Sequence, residues 1–247
     1  MLQKCRFFGN ELTLVTRKEA LAVFSDALAD NRRLTISYLN AHNVVLVCRN
    51  RSIAEVMRTF DITLAEGLGA FWAARFLGCP MPERLAGNDL LYEFLKLCRD
   101  FRRKVFLLGA SPDVAEKAAK NLEDSLPGLV IAGVHHGWFK PEEDAKIVGI
   151  VNASGADCLL MCLGVPRQHL WVAANRPQLQ VRFIMMGGGY LDQASEAVDW
   201  YPKWIDRHKL YWLYRLWREP RRLWRRYTLE MLEFCWWVLR ARRGWTP

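Results

Sequence analysis

Six short apolar runs, none alternating with polar positions, narrow the fold of this chain more than any other feature. They are Leu34–Leu39, Ile62–Ala65, Lys104–Leu108, Val130–Val134, Asp157–Leu163 and Val181–Met186. A strand that is apolar on both faces belongs in a parallel sheet covered on both sides. The stretches between the runs carry helix signals. Lys18–Ala29 follows Thr16 as a cap, Asn88–Phe101 follows Gly87, and Pro112–Leu126 follows Ser111 with proline in the first turn. Pro141–Ala153 and Pro166–Asn175 also open on proline. This alternation predicts a doubly wound, Rossmann-like α/β fold with a mostly parallel sheet. A 247-residue chain that is 51% hydrophobic can bury one large core, which excludes a disordered chain.

The charge divides the chain in two. Residues 201–247 hold twelve Lys and Arg against four Asp and Glu, a net +8, while the first 200 residues carry only +1. The same tail has seven of the eleven tryptophans. The division predicts an α/β domain over residues 1–200 and a helical, basic and aromatic appendage over 201–247. The tail reads as helical from Pro202, with a break near Glu219-Pro220. Arg221–Arg243 reads as one amphipathic helix, with Leu223, Trp224, Tyr227, Met231, Phe234, Cys235 and Val238 on its stripe. Arg222, Arg225, Arg226, Arg240 and Arg243 lie opposite. Such a helix suits an anionic membrane surface, and packing of its stripe on the body is the alternative. No run reaches the roughly 18–20 apolar residues that span a bilayer. The first residues lack the layout of a secretory signal. The seven cysteines are odd in number and contain no CxxC, so neither a disulfide framework nor structural zinc is expected, and a reducing cytoplasm is.

In an open α/β sheet ligands sit at the carboxyl ends of the strands, so those ends hold the candidate chemistry. The first run ends in Tyr38-Leu39-Asn40, where the asparagine can bond a sugar hydroxyl or cap the next helix. The second ends in Ala65-Glu66-Gly67-Leu68-Gly69, a carboxylate between small residues that suits a general base. Arg84 can pair with phosphate or with Glu83. Gly109-Ala110-Ser111-Pro112 opens a helix and can cradle phosphate, although neither GxGxxG nor GxxxxGK[ST] is present. Arg167, Gln168 and His169 follow Gly164-Val165-Pro166, and Gly187-Gly188-Gly189 precedes Tyr190-Leu191-Asp192. The five histidines show no metal-ligand spacing, so no metal is expected.

Taken in order, these motifs resemble the WecG/TagA/CpsF glycosyltransferases, family 26, over nearly the whole chain. The resemblance rests on Leu39-Asn40-Ala41, Ala65-Glu66-Gly67-Leu68-Gly69, Arg84-Leu85-Ala86-Gly87-Asn88-Asp89-Leu90, Val105-Phe106-Leu107-Leu108-Gly109 and Gly137-Trp138-Phe139. It continues through Leu163-Gly164-Val165-Pro166-Arg167-Gln168, Gly188-Gly189-Tyr190-Leu191-Asp192, Pro202-Lys203-Trp204 and Trp212-Leu213-Tyr214-Arg215-Leu216 with Glu219-Pro220-Arg221-Arg222. It implies an inverting, metal-independent enzyme without a cofactor, moving a sugar from a UDP-sugar to a polyprenyl-diphosphate-linked saccharide. The enzyme is expected to be peripheral, at the cytoplasmic face of the inner membrane, in cell-surface polysaccharide synthesis. The resemblance maps the catalytic base onto Glu66 and substrate contacts onto Asn40 and Gln168. Residues near the lipid diphosphate map onto Arg215, Arg222 and Arg225. With the strand-end residues Tyr38, Arg84, Gly109, Arg167, Gly188, Gly189 and Asp192 they make up the expected site. Glu66 stands where the family has Asp, Tyr38 where it has Thr, His169 where it has Glu and Trp200 where it has Arg, so the sugar is left open. Self-association is left open as well. A nucleic-acid-binding module fits less well, because the basicity is confined to one amphipathic segment. A non-catalytic scaffold is the other alternative, and the retained Asn40, Glu66 and Gln168 argue against it.

Overall fold

The computed structural model describes residues 2–208 and 210–245. An antiparallel hairpin comes first, β1 (Lys4–Phe7) and β2 (Asn10–Thr13), followed by α1 (Arg17–Ala29). Thr16 and Glu19 form a reciprocal capping box at the start of α1, as the cap reading anticipates. The first half of the main sheet is β3 (Leu34–Leu39), α2 (Ala41–Arg49), α3 (Arg51–Met57), β4 (Ile62–Ala65) and α4 (Gly67–Phe76). The second half is α5 (Gly87–Asp100), β5 (Val105–Gly109), α6 (Pro112–Ser125), β6 (Ile131–His135), α7 (Asp144–Ala153), β7 (Cys158–Cys162), α8 (Arg167–Asn175), β8 (Phe183–Met186) and α9 (Tyr190–Glu196). Four helices follow, α10 (Lys203–His208), α11 (Tyr211–Arg218), α12 (Pro220–Tyr227) and α13 (Leu229–Arg242).

The six predicted runs form one parallel sheet in the order β4-β3-β8-β7-β5-β6. Ile36, Leu64, Leu107, Leu159 and Ile184 are at most 1% exposed, as expected of strands covered on both faces. All the strands point the same way, so every strand end opens onto one edge. The fold is thus the predicted Rossmann-like α/β sheet with a helical C-terminal part.

A second core lies beside the sheet. The hairpin's Phe7, Phe8 and Leu12 pack with Val44, Val45 and Met57, with Ala70 and Phe71, and with Phe234 and Val238. Phe234 and Val238 belong to α13, so the predicted apolar stripe does pack on the body at these positions. A hydrogen bond and an ion pair on the same helix reinforce it: Glu230 bonds His42 at 2.5 Å, and Glu233 accepts from Nε of Arg49 at 2.9 Å.

Two expectations are corrected. Arg221–Arg243 is not one helix, because Thr228 leaves helical geometry (φ −115°, ψ −82°) and separates α12 from α13. Cysteine pairing is the second correction. Cys5 and Cys79 form a disulfide with Cα atoms 5.7 Å apart, tying β1 to the loop after α4. Spacing alone cannot reveal a pair 74 residues apart. The other five cysteines are free thiols.

Phe234 is 4% exposed. Phe234→Ala is expected to lower unfolding free energy by about 3–5 kcal/mol, as for other large-to-small core changes. Chemical denaturation checks this, and a loss below about 1 kcal/mol would mean that α13 is not part of the core.

Candidate active site

The edge formed by the strand ends holds a cleft of about 520 Å³. Tyr38 and Asn40 reach it from β3, Glu66 from β4, Ala110 and Ser111 from β5, Gly164 from β7 and Gly187–Gly189 from β8. Arg167, Gln168, Asp192, Arg215 and Arg222 complete its walls, together with Arg226. A second cleft of about 440 Å³ lies on the other side of Glu66. Leu68, Arg84, Gly87, Tyr211, Trp212, Tyr227 and Met231 line it, and its walls are more apolar. Asn40, His42, Glu66, Asn88, Arg215 and Arg226 line both clefts.

Backbone register sets this junction. Leu39 pairs with Ala65 across β3 and β4, so the next residues, Asn40 and Glu66, leave the sheet side by side. Nδ2 of Asn40 donates to Oε2 of Glu66 at 2.9 Å. Oδ1 of the same side chain caps α2 by accepting from the backbone N–H of Asn43 at 3.1 Å. Asn40 is thus both the helix cap and the partner of the carboxylate. Glu66 makes no capping bond of its own at the start of α4, which leaves Oε1 available. Gly87 backs that oxygen. A Cβ at position 87 would lie 2.1 Å from Oε1 of Glu66, so a side chain there and the observed carboxylate exclude each other.

Cations surround the junction. Burial works against the Arg215 charge, but Tyr201, Tyr227, Glu219 and Glu66 together hold its pKa above the usual value. Its Nε is buried without a hydrogen-bond partner. Burial, with Arg215 close by, lowers the pKa of Arg226, which donates to Oδ1 of Asn40 at 3.4 Å. Arg222 pairs with Glu219. Both Arg215 and Arg222 reach the turn after β8, within 3.6 and 3.8 Å of where a Cβ on Gly189 would stand. The Gly188 N–H donates to Oε1 of Gln168 at 3.2 Å, which fixes this turn against α8. Burial raises the pKa of Asp192 on the same wall, with Arg222 acting against it.

Several expected residues take other roles. Arg167 lines the first cleft, but its guanidinium donates to the Gly137 and Phe139 carbonyls and lies over the Phe139 ring, so it holds the wall together. Arg84 lines the second cleft and stacks over Tyr211 at 5.5 Å, while Glu83 accepts from the backbone N–H of Arg17. Gly109 lines neither cleft. Its φ is +148°, and a Cβ there would lie 2.3 Å from the Cys162 carbonyl oxygen, so it permits close strand approach, while the next two residues of the turn, Ala110 and Ser111, line the first cleft. Arg225 is exposed and also lines neither, whereas its neighbour Arg226 reaches the site. Arg226 stands one turn beyond Arg222 on α12, so the two share the face that meets the cleft and Arg225 does not. Of the residues that line both clefts, His42, Asn88 and Arg226 are those that motif reading missed, although Asn88 stands inside the quoted Arg84–Leu90 motif.

Of the three departures at Tyr38, His169 and Trp200, only Tyr38 lines either cleft. Its hydroxyl is buried without a hydrogen-bond partner. His169 bonds Ser37 Oγ at 2.8 Å and packs against Phe60. Trp200 donates to Glu196 at 2.7 Å. Among the described residues, no group of three or more His, Cys, Asp and Glu is placed to hold a metal ion.

The family model for the WecG/TagA/CpsF glycosyl transferases matches residues 5–246. This chain belongs to that family. It is a glycosyltransferase. A relative in Bacillus spizizenii is 29% identical over 178 residues, 72% of this chain and 68% of the relative. One in Staphylococcus aureus is 25% identical over 236 residues, 96% and 91% of the two chains. Both carry the name N-acetylglucosaminyldiphosphoundecaprenol N-acetyl-beta-D-mannosaminyltransferase.

Two outcomes follow for this transferase. Gly87→Ala is expected to leave the melting temperature nearly unchanged, yet to lower kcat by about 10²-fold, because it displaces the Glu66 carboxylate. Steady-state transfer assays beside a thermal melt check it. The second concerns His169, whose pKa burial pushes down to about 4 from an ordinary 6.5. The folded state thus keeps it neutral while the unfolded state takes up a proton, so stability falls as pH drops from 6.5 toward 4. Unfolding free energy measured across that window is expected to fall less steeply in His169→Gln.

Proposed function

We propose that the protein is an inverting, metal-independent transferase that moves a sugar from a UDP-sugar to a polyprenyl-diphosphate-linked saccharide. The observation that carries this reading is that Glu66 stands between two clefts of different character. The polar cleft, with glycine turns and arginines, suits a nucleotide sugar. The more apolar cleft, walled by Tyr211, Trp212, Tyr227 and Met231, suits the sugar of a lipid-linked acceptor. Glu66 takes the proton of the acceptor hydroxyl as that oxygen attacks the anomeric carbon. The new glycosidic bond forms on one face while the bond to the diphosphate breaks on the other, which inverts the centre. The bonding electrons leave on the UDP oxygen, and Arg215 with Arg222 offsets the added charge as a divalent cation would. Asn40 keeps the carboxylate turned toward the acceptor side.

The relatives' names support an N-acetylglucosamine-linked polyprenyl diphosphate as acceptor. Tyr38 in place of the family's Thr makes the donor sugar a property of this chain, and a hexose or N-acetylhexosamine fits the reading. A cytoplasmic supply of UDP-sugar supports a place at the cytoplasmic leaflet. There the hairpin remains anchored by Phe7, Phe8 and Leu12 whether or not Cys5 and Cys79 are oxidised. Among the described residues no helix is long and apolar enough to cross a membrane, which accords with a peripheral enzyme.

Glu66→Gln keeps the volume and loses the base, so kcat is expected to fall by about 10²–10⁴-fold with the fold intact. Glu66→Asp retains measurable transfer. Near-normal turnover by Glu66→Gln, or a rate that collapses in EDTA and returns with Mg²⁺ or Mn²⁺, overturns the proposal.

A further inference from the structure

The last helix is apolar on two sides, and only one of them is packed. Phe234 and Val238 of α13 face the second core, while Leu229, Leu232, Trp236 and Leu239 face away, Leu232 being 70% exposed. A helix with a second, exposed apolar face has a surface that can meet a second partner. The same holds for α4 in the α/β body. Ala70, Phe71 and Ala74 are buried there, while Trp72 (61% exposed) and Phe76 (51%) stand one turn apart on the surface.

These two outward faces adjoin. A Cβ on Gly69 would touch the Phe234 ring at 3.6 Å, and the Arg242 guanidinium lies 5.7 Å from the centroid of Phe76. Contacts at both ends, seven residues apart on α4 and eight on α13, set the helices side by side and running the same way. Their exposed residues therefore stand on one continuous face. Its charge has one sign. Arg75, Arg242 and Arg243 are exposed at this patch, and α4 contains no Asp or Glu. The two carboxylates of α13, Glu230 and Glu233, turn inward to His42 and Arg49 of α2. At the opposite end of the patch, Leu68 of α4 and Met231 of α13 line the second cleft.

We propose that α4 and α13 together form a platform that beds into the headgroup region of an anionic bilayer, so that the membrane contact includes the α/β body as well as the C-terminal helices. This deepens the function proposed above, on which it rests for the identity of the lipid-linked acceptor. Trp and Phe suit the interface, arginines suit lipid phosphate, and the absence of outward carboxylates on these helices removes repulsion. A second copy of the chain fits the face less well. A two-fold pair presents the same surface to itself and gathers these arginines with no carboxylate to meet them. With the platform on the bilayer, the second cleft opens at its edge, where a lipid-linked sugar arrives without leaving the membrane.

The test is co-sedimentation with sucrose-loaded vesicles of equimolar phosphatidylglycerol and phosphatidylcholine, with light scattering for oligomeric state. Trp72→Ser/Phe76→Ser is expected to weaken vesicle binding at least roughly tenfold, since two aromatic side chains no longer bury. Leu232→Ser/Trp236→Ser is expected to do the same, and all variants are expected to melt as the unaltered protein does. If a double variant loses its fold, the single Trp72→Gln carries the same expectation at a smaller fold-change. Vesicle binding that stays within about twofold for the α4 variant overturns the platform, and a change from dimer to monomer in that variant would then assign the face to self-association. The assay needs no turnover, so loss of the Glu66 reading leaves it standing, and its failure leaves Glu66 untouched.

Discussion

The pairing of β3 with β4 is the constraint on which the active site depends. With Leu39 opposite Ala65, the two chains leave the sheet in step and Asn40 arrives beside Glu66. A slip of one residue would turn Tyr38 out of the cleft and send the carboxylate to the other face of the sheet, because side chains alternate along a strand. Ile36, Leu39, Leu64 and Ala65 are all buried in the present register, so a slip would also repack the helices that cover both faces of the sheet. Core packing and catalytic geometry are therefore set by the same register.

The C-terminal helices add what the sheet lacks. A parallel sheet edge offers backbone N–H groups and a carboxylate but little positive charge, and the body is close to neutral. Arg215, Arg222 and Arg226 bring that charge from α11 and α12. Holding three guanidinium groups in one half-buried site costs desolvation and repulsion, which the lowered pKa of Arg226 reflects. Anchoring elsewhere offsets the cost: Phe234 and Val238 in the second core, the Glu230–His42 and Glu233–Arg49 pairs, and the Arg218–Glu196 pair that ties α11 to α9.

Much of the sheet was legible in the sequence because each strand is a separate apolar run; Leu34–Leu39 and Ile62–Ala65 coincide with β3 and β4 to the residue. Strand ends then pointed to Asn40, Glu66, Gln168 and the Gly188-Gly189 turn. What escaped was decided by tertiary contacts. The helix α4 carries two poor helix formers, Gly67 and Gly69, in its first turn and is held by the second core. Which face of α12 meets the cleft was set by its packing, so Arg226, one turn beyond Arg222, and not Arg225 enters the site. Gly87 is the helix start it looked like, and the place a Cβ there would take is filled by Oε1 of Glu66.

The central claim is that the two clefts divide donor from acceptor with Glu66 between them. A crystal structure of the Glu66→Gln variant soaked with UDP tests it most directly. The account predicts the nucleotide in the cleft over β7 and β8, its diphosphate beside Gly189, Arg215 and Arg222, with the cleft between Leu68 and Tyr227 left free. Nucleotide seated between Leu68 and Tyr227 would contradict it.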